Sequence, residues 1–199
     1  TQLPYELVNQ ESQLPFIIVK VMRAFVYNGG FEREGPFRTE GDKQQLAELV
    51  ELIEKGFERT SVRVENFQVP VLGAAIKRYL RQIPGCLVPS QHAILLARTS
   101  ELQDPATRQL LQQFFLFSLP FRNAKILSTI LLLLQACAAR ECAHKMSAQA
   151  LAVCFGPTLF DTGVDLKLIA SLNELLRQFI ANRNIFFSVP SSIIEAENK

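Results

Sequence analysis

The sequence predicts an all-α protein. Along its 199 residues, apolar side chains recur every three or four positions, which is the period of an amphipathic helix. No convincing run of alternating apolar and polar residues, the pattern of a strand, interrupts them. With 48% apolar residues, the chain is long enough for one sizeable core and too short for two ordinary domains. We therefore expect a single domain over residues 1–199.

The first expected helix runs from about Pro15 to Tyr27. Asn28-Gly29-Gly30 follows it, and these residues tolerate the left-handed conformation that a helix exit requires. A loop spaced by glycines then extends from Gly29 to Gly41. Asp42 caps the second helix, because a glutamine three residues later completes a capping box, and Gly56 ends it.

Prolines divide the middle of the chain. A helix from about Asn66 to Gln82 accommodates Pro70 only if this proline lies in the first turn, where no helical N–H is needed. Shorter helices are expected at Gln91–Arg98 and at Ala106–Phe117, and Asp104 caps the second of these.

The most apolar helix follows a break at Pro120. The apolar run 126–139 is interrupted by polar residues and falls short of the roughly 18 apolar residues that a membrane span requires, so we interpret it as a central core helix. Ser147 begins a further helix, which we expect to stop before Gly156-Pro157. Asp165 opens the last long helix, whose inner face carries Ile169, Leu172, Leu176 and Ile180.

The overall charge argues against a nucleic-acid partner. The chain has 21 basic and 19 acidic residues, and a net charge of +2 gives no electrostatic footprint for DNA or RNA. Its four cysteines lack the dense spacing of a secreted disulfide scaffold, so we expect reduced thiols in the cytoplasm. No signal peptide is visible, and Thr1 is not an initiator methionine. We expect a monomeric domain from a larger multidomain protein, with any membrane recruitment supplied by other regions.

Catalysis by the chain alone is poorly supported. Cys137, Cys142 and His144 fall close together, but neither a CxxC pair nor a second ligand cluster accompanies them. Buried thiols are therefore preferred to a metal site. The two histidines, His92 and His144, lie outside GxSxG or HExxH settings, and no GxxxxGK[ST] phosphate loop occurs. An independent enzyme is disfavoured, and we expect no metal and no cofactor.

Basic residues are the strongest candidates for a binding role. Arg38 follows a rigid proline and a large apolar phenylalanine in a loop that has a glycine at each end, so the loop can hold its guanidinium in a defined direction. The alternative is a solvated arginine without a function. Lys77 and Arg81, spaced i, i+4, project from one helix face and repel each other unless an anionic partner lies between them. The alternative is a solvated helix face.

Four motifs stand in order along the chain. They are G-P-F-R-T-E-G at 35–41, K-R-Y-L-R-Q-I-P-G-C-L-V-P at 77–89, L-P with Asn123 at 119–123, and K-M-S at 145–147 with L-A-V-C-F-G-P-T-L at 151–159. They resemble G-I-F-R-x-S-G, K-x-x-L-R-E-L-P-E-P-L-I-P, L-P-x-x-N and K-M-T…L-A-x-x-F-G-P-x-L of the Rho GTPase-activating domain, also called the breakpoint-cluster homology domain. The resemblance covers about residues 14–159 and implies a compact bundle of about nine helices, with a family-like core at 14–181.

The resemblance also implies a function. The partner would be a Rho, Rac or Cdc42-type GTPase that carries GTP and magnesium, and this chain would activate it without being an enzyme itself. Arg38 would be the arginine finger. Lys77 and Arg81 would flank the docking surface, hold the finger loop and meet the switch regions of the partner, while Phe37 and Pro157 would be packing residues that shape it.

Three positions depart from the family pattern. Ala150 stands where the family usually has an asparagine near the docked GTPase, His144 replaces the asparagine before Lys-Met, and Cys86 replaces the second proline of L-P-E-P-L. Ala150 favours an alternative in which the domain binds GTPases or other signalling proteins as an inactive scaffold. A more distant alternative is a helical adaptor that binds peptides in an apolar groove.

Overall fold

The fold is built from helices, as the sequence predicts. A computed structural model describes residues 15–55 and 63–188, and these contain ten α-helices and no β-strand. The bounds are α1 Phe16–Tyr27, α2 Lys43–Lys55, α3 Val69–Arg81, α4 Ser90–Thr99, α5 Pro105–Phe117, α6 Phe121–Ala138, α7 Glu141–His144, α8 Ala148–Leu159, α9 Leu166–Ala181 and α10 Arg183–Phe186. The all-α class is confirmed.

Helix starts follow the residues that the sequence marks as caps. The carboxylates of Asp42, Asp104 and Asp165 each accept a hydrogen bond from a backbone N–H two or three residues later, which satisfies a donor that the first turn leaves free. Pro70 lies in the first turn of α3, where its missing N–H costs nothing. Gly56, the expected end of α2, lies outside the described residues.

One continuous apolar core joins the helices. Helix α8 packs against α3, α6 and α9, while α1 and α2 both pack on α3. By length and composition α6 could cross a membrane, a test that buried core helices also pass, and half of α6 is buried inside the bundle. Helix α8 therefore packs against three neighbouring helices.

The expected end of α8 before Gly156-Pro157 is wrong. The helix continues through Pro157 to Leu159. Proline cannot donate to the carbonyl of Val153 four residues earlier, yet packing offsets this loss, because α8 lies against α9 over much of its length. Gly156 makes the close approach possible, since a Cβ at this position would overlap Oδ1 of Asn173. Tertiary packing thus overrides the local signal.

The backbone at Cys86, one of the three departures from the family pattern, has an unusual conformation. Gly85 and Cys86 have φ values of 73° and 62°, whereas a proline is fixed near −65°. The Cys86 N–H also donates to the carbonyl of Ile83 at 3.1 Å. A family-like proline therefore does not fit this turn.

We expect Cys86→Pro to lower the free energy of unfolding by about 2 kcal/mol, because it removes this hydrogen bond and forces a different φ. For a domain of this size, that corresponds to a fall of about 4–8 °C in Tm, measured by thermal denaturation. Cys86→Gly accepts the positive φ and should stay within about 1 kcal/mol of the original chain. An unchanged Tm for the proline variant would contradict this account of the turn.

Candidate functional site

The finger loop, residues 35–41, is anchored by an aromatic side chain. The Phe37 ring is fully buried; it stacks on Phe25 with centroids 4.8 Å apart and meets Phe155 of α8 edge-on at 4.9 Å. Arg38, the next residue, is exposed. The loop therefore turns one side chain into the core and directs its neighbour outward, as its sequence suggests.

Glycines let the loop lie directly on α3. A Cβ at Gly73, in the interior of α3, would stand 2.7 Å from the carbonyl oxygen of Pro36 and 3.1 Å from the Phe37 ring. At the other end of the loop, Gly41 has a φ of 70°, and a Cβ there would be 2.9 Å from the backbone nitrogen of Val71. A glycine inside a helix often marks such a close approach, so Gly73 was a signal that our reading of the sequence missed.

Three hydrogen bonds hold the loop from two sides. The Gly35 N–H donates to the His144 carbonyl at 2.9 Å, and Nη2 of Arg38 donates to the Lys145 carbonyl at 3.1 Å. From α3, Nζ of Lys77 donates to the carbonyl of Phe37 at 2.8 Å. The backbone that leads into Arg38 is thereby fixed at Gly35 and at Phe37.

His144 serves as an internal anchor of this support. It is fully buried, and its Nδ1 accepts the backbone N–H of Met146 at 3.1 Å. The hydrogen-bond pattern assigns the proton to Nε2, which donates to the Cys137 carbonyl at 2.7 Å. Cys142 is exposed, and no group of three potential ligands occurs within residues 15–55 and 63–188. Sequence analysis noted His144 only as a possible ligand and as a departure from the family.

Lys145 presents its carbonyl from an unusual backbone conformation. Its φ is 55°, in the left-handed region that costs a non-glycine residue about 1–2 kcal/mol. The side chain forms an exposed ion pair with Glu34 at 2.9 Å. Strain of this kind concentrates at functional sites, and here it coincides with the carbonyl that receives Arg38.

The two basic residues of α3 differ in their surroundings. Lys77 is half-buried, and burial lowers the pKa of its ammonium group from the ordinary value; the charge of Arg81 lowers this pKa further, whereas Glu40 opposes the shift. Arg81 is exposed. Together with Glu40 and Leu46, these residues line a shallow depression of about 280 Å³ beside the finger loop.

One face of α8, near Lys77, carries little polarity. Ala150, Cys154 and Pro157 share this face by their spacing, and Cys154 lies close enough to Lys77 to raise the pKa of its ammonium group. Ala150 is half-buried, and its N–H is bound by the Ser147 hydroxyl at 3.2 Å. Pro157, which the resemblance places among the residues that shape the docking surface, is exposed.

The arrangement gathers most of the sequence-predicted residues into one region. The finger loop touches α3 through Lys77 and α8 through the contact of Phe37 with Phe155. The bond from Lys77 to the loop backbone agrees with the expectation that this residue holds the finger loop, whereas sequence reasoning missed that the 144–145 segment supports the loop from the other side. Arg81, which the resemblance implies would also hold the finger loop and meet the partner, is exposed.

Curated relatives match most of this chain over a small part of their own length. The human breakpoint cluster region protein is 28% identical over 152 residues, which is 75% of this chain and 12% of that protein. Human SLIT-ROBO Rho GTPase-activating protein 3 is 22% identical over 183 residues, which is 90% of this chain and 17% of the relative.

Solved structures and a family match complete the comparison. Human Rho GTPase activating protein 15 superposes with a TM-score of 0.79 at 20% identity, covering 92% of this chain and 89% of that one. The BH domain of the GTPase regulator associated with focal adhesion kinase superposes with a TM-score of 0.76 at 24% identity, covering 89% of this chain and 99% of that one. These likenesses show the fold. The RhoGAP domain matches residues 15–163, and the chain therefore belongs to the RhoGAP domain family.

Proposed function

We propose that this domain docks on a Rho-family GTPase and accelerates hydrolysis of its GTP by inserting Arg38 as an arginine finger. Membership of the RhoGAP family implies a role in activating Rho GTPases. The observation that carries the finer proposal is the exposed guanidinium of Arg38 on a backbone that the Lys77 ammonium group and the His144 carbonyl hold in place.

The chemistry requires a charge delivered to a fixed position. As the γ-phosphoryl group transfers to water, negative charge develops on its oxygens, and a planar guanidinium can contact two oxygens at once. Arg38 first has to exchange its bond to the Lys145 carbonyl for the phosphate. GTP and magnesium belong to the partner, and this chain supplies docking surface and one charge.

Single-turnover phosphate release tests the proposal. GTP-loaded Rho, Rac and Cdc42 are each mixed with the 199-residue chain at increasing concentration, and we expect faster release for at least one of them. Absence of stimulation for every GTPase, at concentrations where complex formation is demonstrated, would contradict the proposal.

A second candidate function is an inactive GTPase-binding scaffold. The observation that favours it is Ala150, whose side chain offers neither donor nor acceptor on the α8 face near Lys77. A neutral hydrogen bond contributes only about 0.5–1.5 kcal/mol, whereas an arginine finger contributes about 4–7 kcal/mol. We therefore favour weak or selective activation of the GTPase over an inactive scaffold function.

Ala150→Asn is expected to raise GTPase affinity or turnover about 2- to 13-fold, because it restores a side-chain hydrogen-bonding group at this face. Phosphate release measured over a range of domain concentrations separates the two effects. Ala150→Leu is the matched control, since leucine has the same number and branching of side-chain heavy atoms without the amide and should bring no gain. If neither the original domain nor the asparagine variant stimulates a GTPase that it binds, the scaffold function replaces the activator function.

Arg81→Glu and Lys77→Glu are expected to act differently. Arg81 is exposed, so reversing its charge should slow association with the GTPase. The effect should be much larger at low salt than at high salt, because dissolved ions screen charges, over ~10 Å at an ionic strength of 0.1 M. Lys77→Glu should in addition reduce hydrolysis at saturating domain concentration, because it removes the bond to the Phe37 carbonyl. Stopped-flow association and single-turnover rates provide the two measurements.

Lys77→Met serves as the control, since it removes the hydrogen bond without reversing the charge. It should keep most of the association rate and lose turnover. Association that is unchanged by Arg81→Glu at every salt concentration would show that Arg81 belongs to a solvated face.

A further inference from the structure

A second concave surface, the aromatic groove, lies apart from the finger loop. It has a volume of about 480 Å³ and is walled by Phe117 at the end of α5, Phe121 at the start of α6, and Phe187 after α10. The groove is rigidly built. Gln113 of α5 donates to the Ile185 carbonyl at 2.6 Å, and Nε of Arg183 donates to the Ser128 carbonyl of α6 at 3.0 Å.

Large apolar side chains remain exposed around this groove. Phe121 is 68% exposed and Phe117 is 49% exposed. Leu110 and Phe114 precede Phe117 at helical spacing, so all three share one face of α5, and Phe114 is 62% exposed. A contiguous exposed apolar surface of this kind marks a place where another molecule binds.

The charge of the groove selects among possible occupants. Lys125 contributes a positive charge to its lining, which contains no aspartate or glutamate among the described residues. Arg183 lies at the base of the groove, where it is 7% exposed and bonded to Ser128, so it serves the structure of the groove. A carboxylate that enters beside Lys125 is attracted more strongly than in open water, because the aromatic walls exclude solvent.

We propose that the aromatic groove binds a peptide segment of a partner protein in which a large apolar or aromatic side chain stands next to acidic residues. The volume lies within the range of about 300–1,000 Å³ that is typical of ligand pockets, and a concave wall that carries Lys125 suits an inserted side chain better than it suits a flat membrane. The groove shares no lining residue with the finger loop, so peptide and GTPase are expected to bind at the same time.

Selection from a random twelve-residue peptide library, displayed on phage, tests this proposal on the 199-residue chain. We expect enrichment of peptides that combine Phe, Trp, Leu or Ile with neighbouring Asp or Glu. Fluorescence polarisation of two enriched synthetic peptides should show at least a tenfold loss of affinity for Phe121→Ala and for Lys125→Glu. Val164→Ala and Lys167→Glu remove an exposed apolar group and reverse an exposed charge outside the groove, and they should bind as the original chain does. Arg38→Ala should also leave peptide affinity unchanged.

Several results would overturn the proposal. They are a library without enrichment, enriched peptides that bind Phe121→Ala as well as the original chain, or a preference for basic peptides. Flotation with phosphatidylserine vesicles that Phe121→Ala abolishes, without peptide binding, would assign the surface to membranes. A dimer in sedimentation equilibrium that this same variant dissociates would assign it to a second copy of the chain. Thermal denaturation of each variant establishes that the fold is retained.

Discussion

Arg38→Ala is expected to remove nearly all stimulation of GTP hydrolysis. Where the original domain is fully active, the stimulated rate should fall by about 10³- to 10⁵-fold. This loss corresponds to about 4–7 kcal/mol of barrier, the typical contribution of an arginine finger. The guanidinium acts on charge that develops only in the transition state. Binding to the GTP-bound partner should therefore change little, whereas binding to the GDP–aluminium fluoride complex should weaken strongly.

The control for this experiment is the stability of the domain. Arg38 is exposed and supports no core residue, so its replacement should change the free energy of unfolding by less than about 0.5 kcal/mol. Arg38→Lys keeps the charge but loses the planar fork, and it should recover only a small part of the activity. Undiminished stimulation by the alanine variant would show that Arg38 is not the finger.

Gly73→Ala is expected to produce the second-largest loss. The added Cβ would stand 2.7 Å from the Pro36 carbonyl oxygen, so the finger loop has to move away from α3. A displacement of about 1 Å at a reacting centre can cost about 10²-fold in rate, and we expect a fall of this order in single-turnover hydrolysis at saturating domain concentration. Overpacking should also destabilise the fold by about 1–3 kcal/mol, partly offset by the better helix propensity of alanine.

Gly163→Ala provides a matched control for the glycine variant. The new methyl group there meets nothing within 4 Å, while a φ of 54° imposes a moderate loss of stability. Its stimulation of hydrolysis should equal that of the original domain. If Gly73→Ala is stable and fully active, the contact between α3 and the finger loop does not determine the position of Arg38.

Much of the fold could be predicted because helix signals in this chain are local. Aspartate caps at 42, 104 and 165 and a proline in the first turn of α3 are read from neighbouring residues, and the structure has helices there. The continuation of α8 through Pro157 could not be predicted, since it depends on the packing of α8 against α9, a contact between residues distant in sequence.

The candidate site divides in the same way. Arg38 stands out through its flanking glycines, proline and phenylalanine, all within one short loop. The bond from Lys77 to the Phe37 carbonyl joins residues 40 positions apart, and the one from Arg38 to the Lys145 carbonyl spans 107. The resemblance implied that Lys77 holds the loop, but backbone carbonyls leave no trace in a sequence motif, so the accepting atoms and the support from His144 and Lys145 became visible only in the folded chain.

The proline inside α8 has a consequence for partner choice. Because Pro157 has no N–H, the Val153 carbonyl lacks its usual helical donor, and the Val153 side chain is 53% exposed on this helix. Water can satisfy such an acceptor in the free domain. A partner that covers it without offering a donor loses that hydration, at a cost of about 1–3 kcal/mol, while a partner with a suitably placed N–H or O–H avoids the penalty. The backbone itself thereby discriminates among surfaces that are otherwise equally apolar.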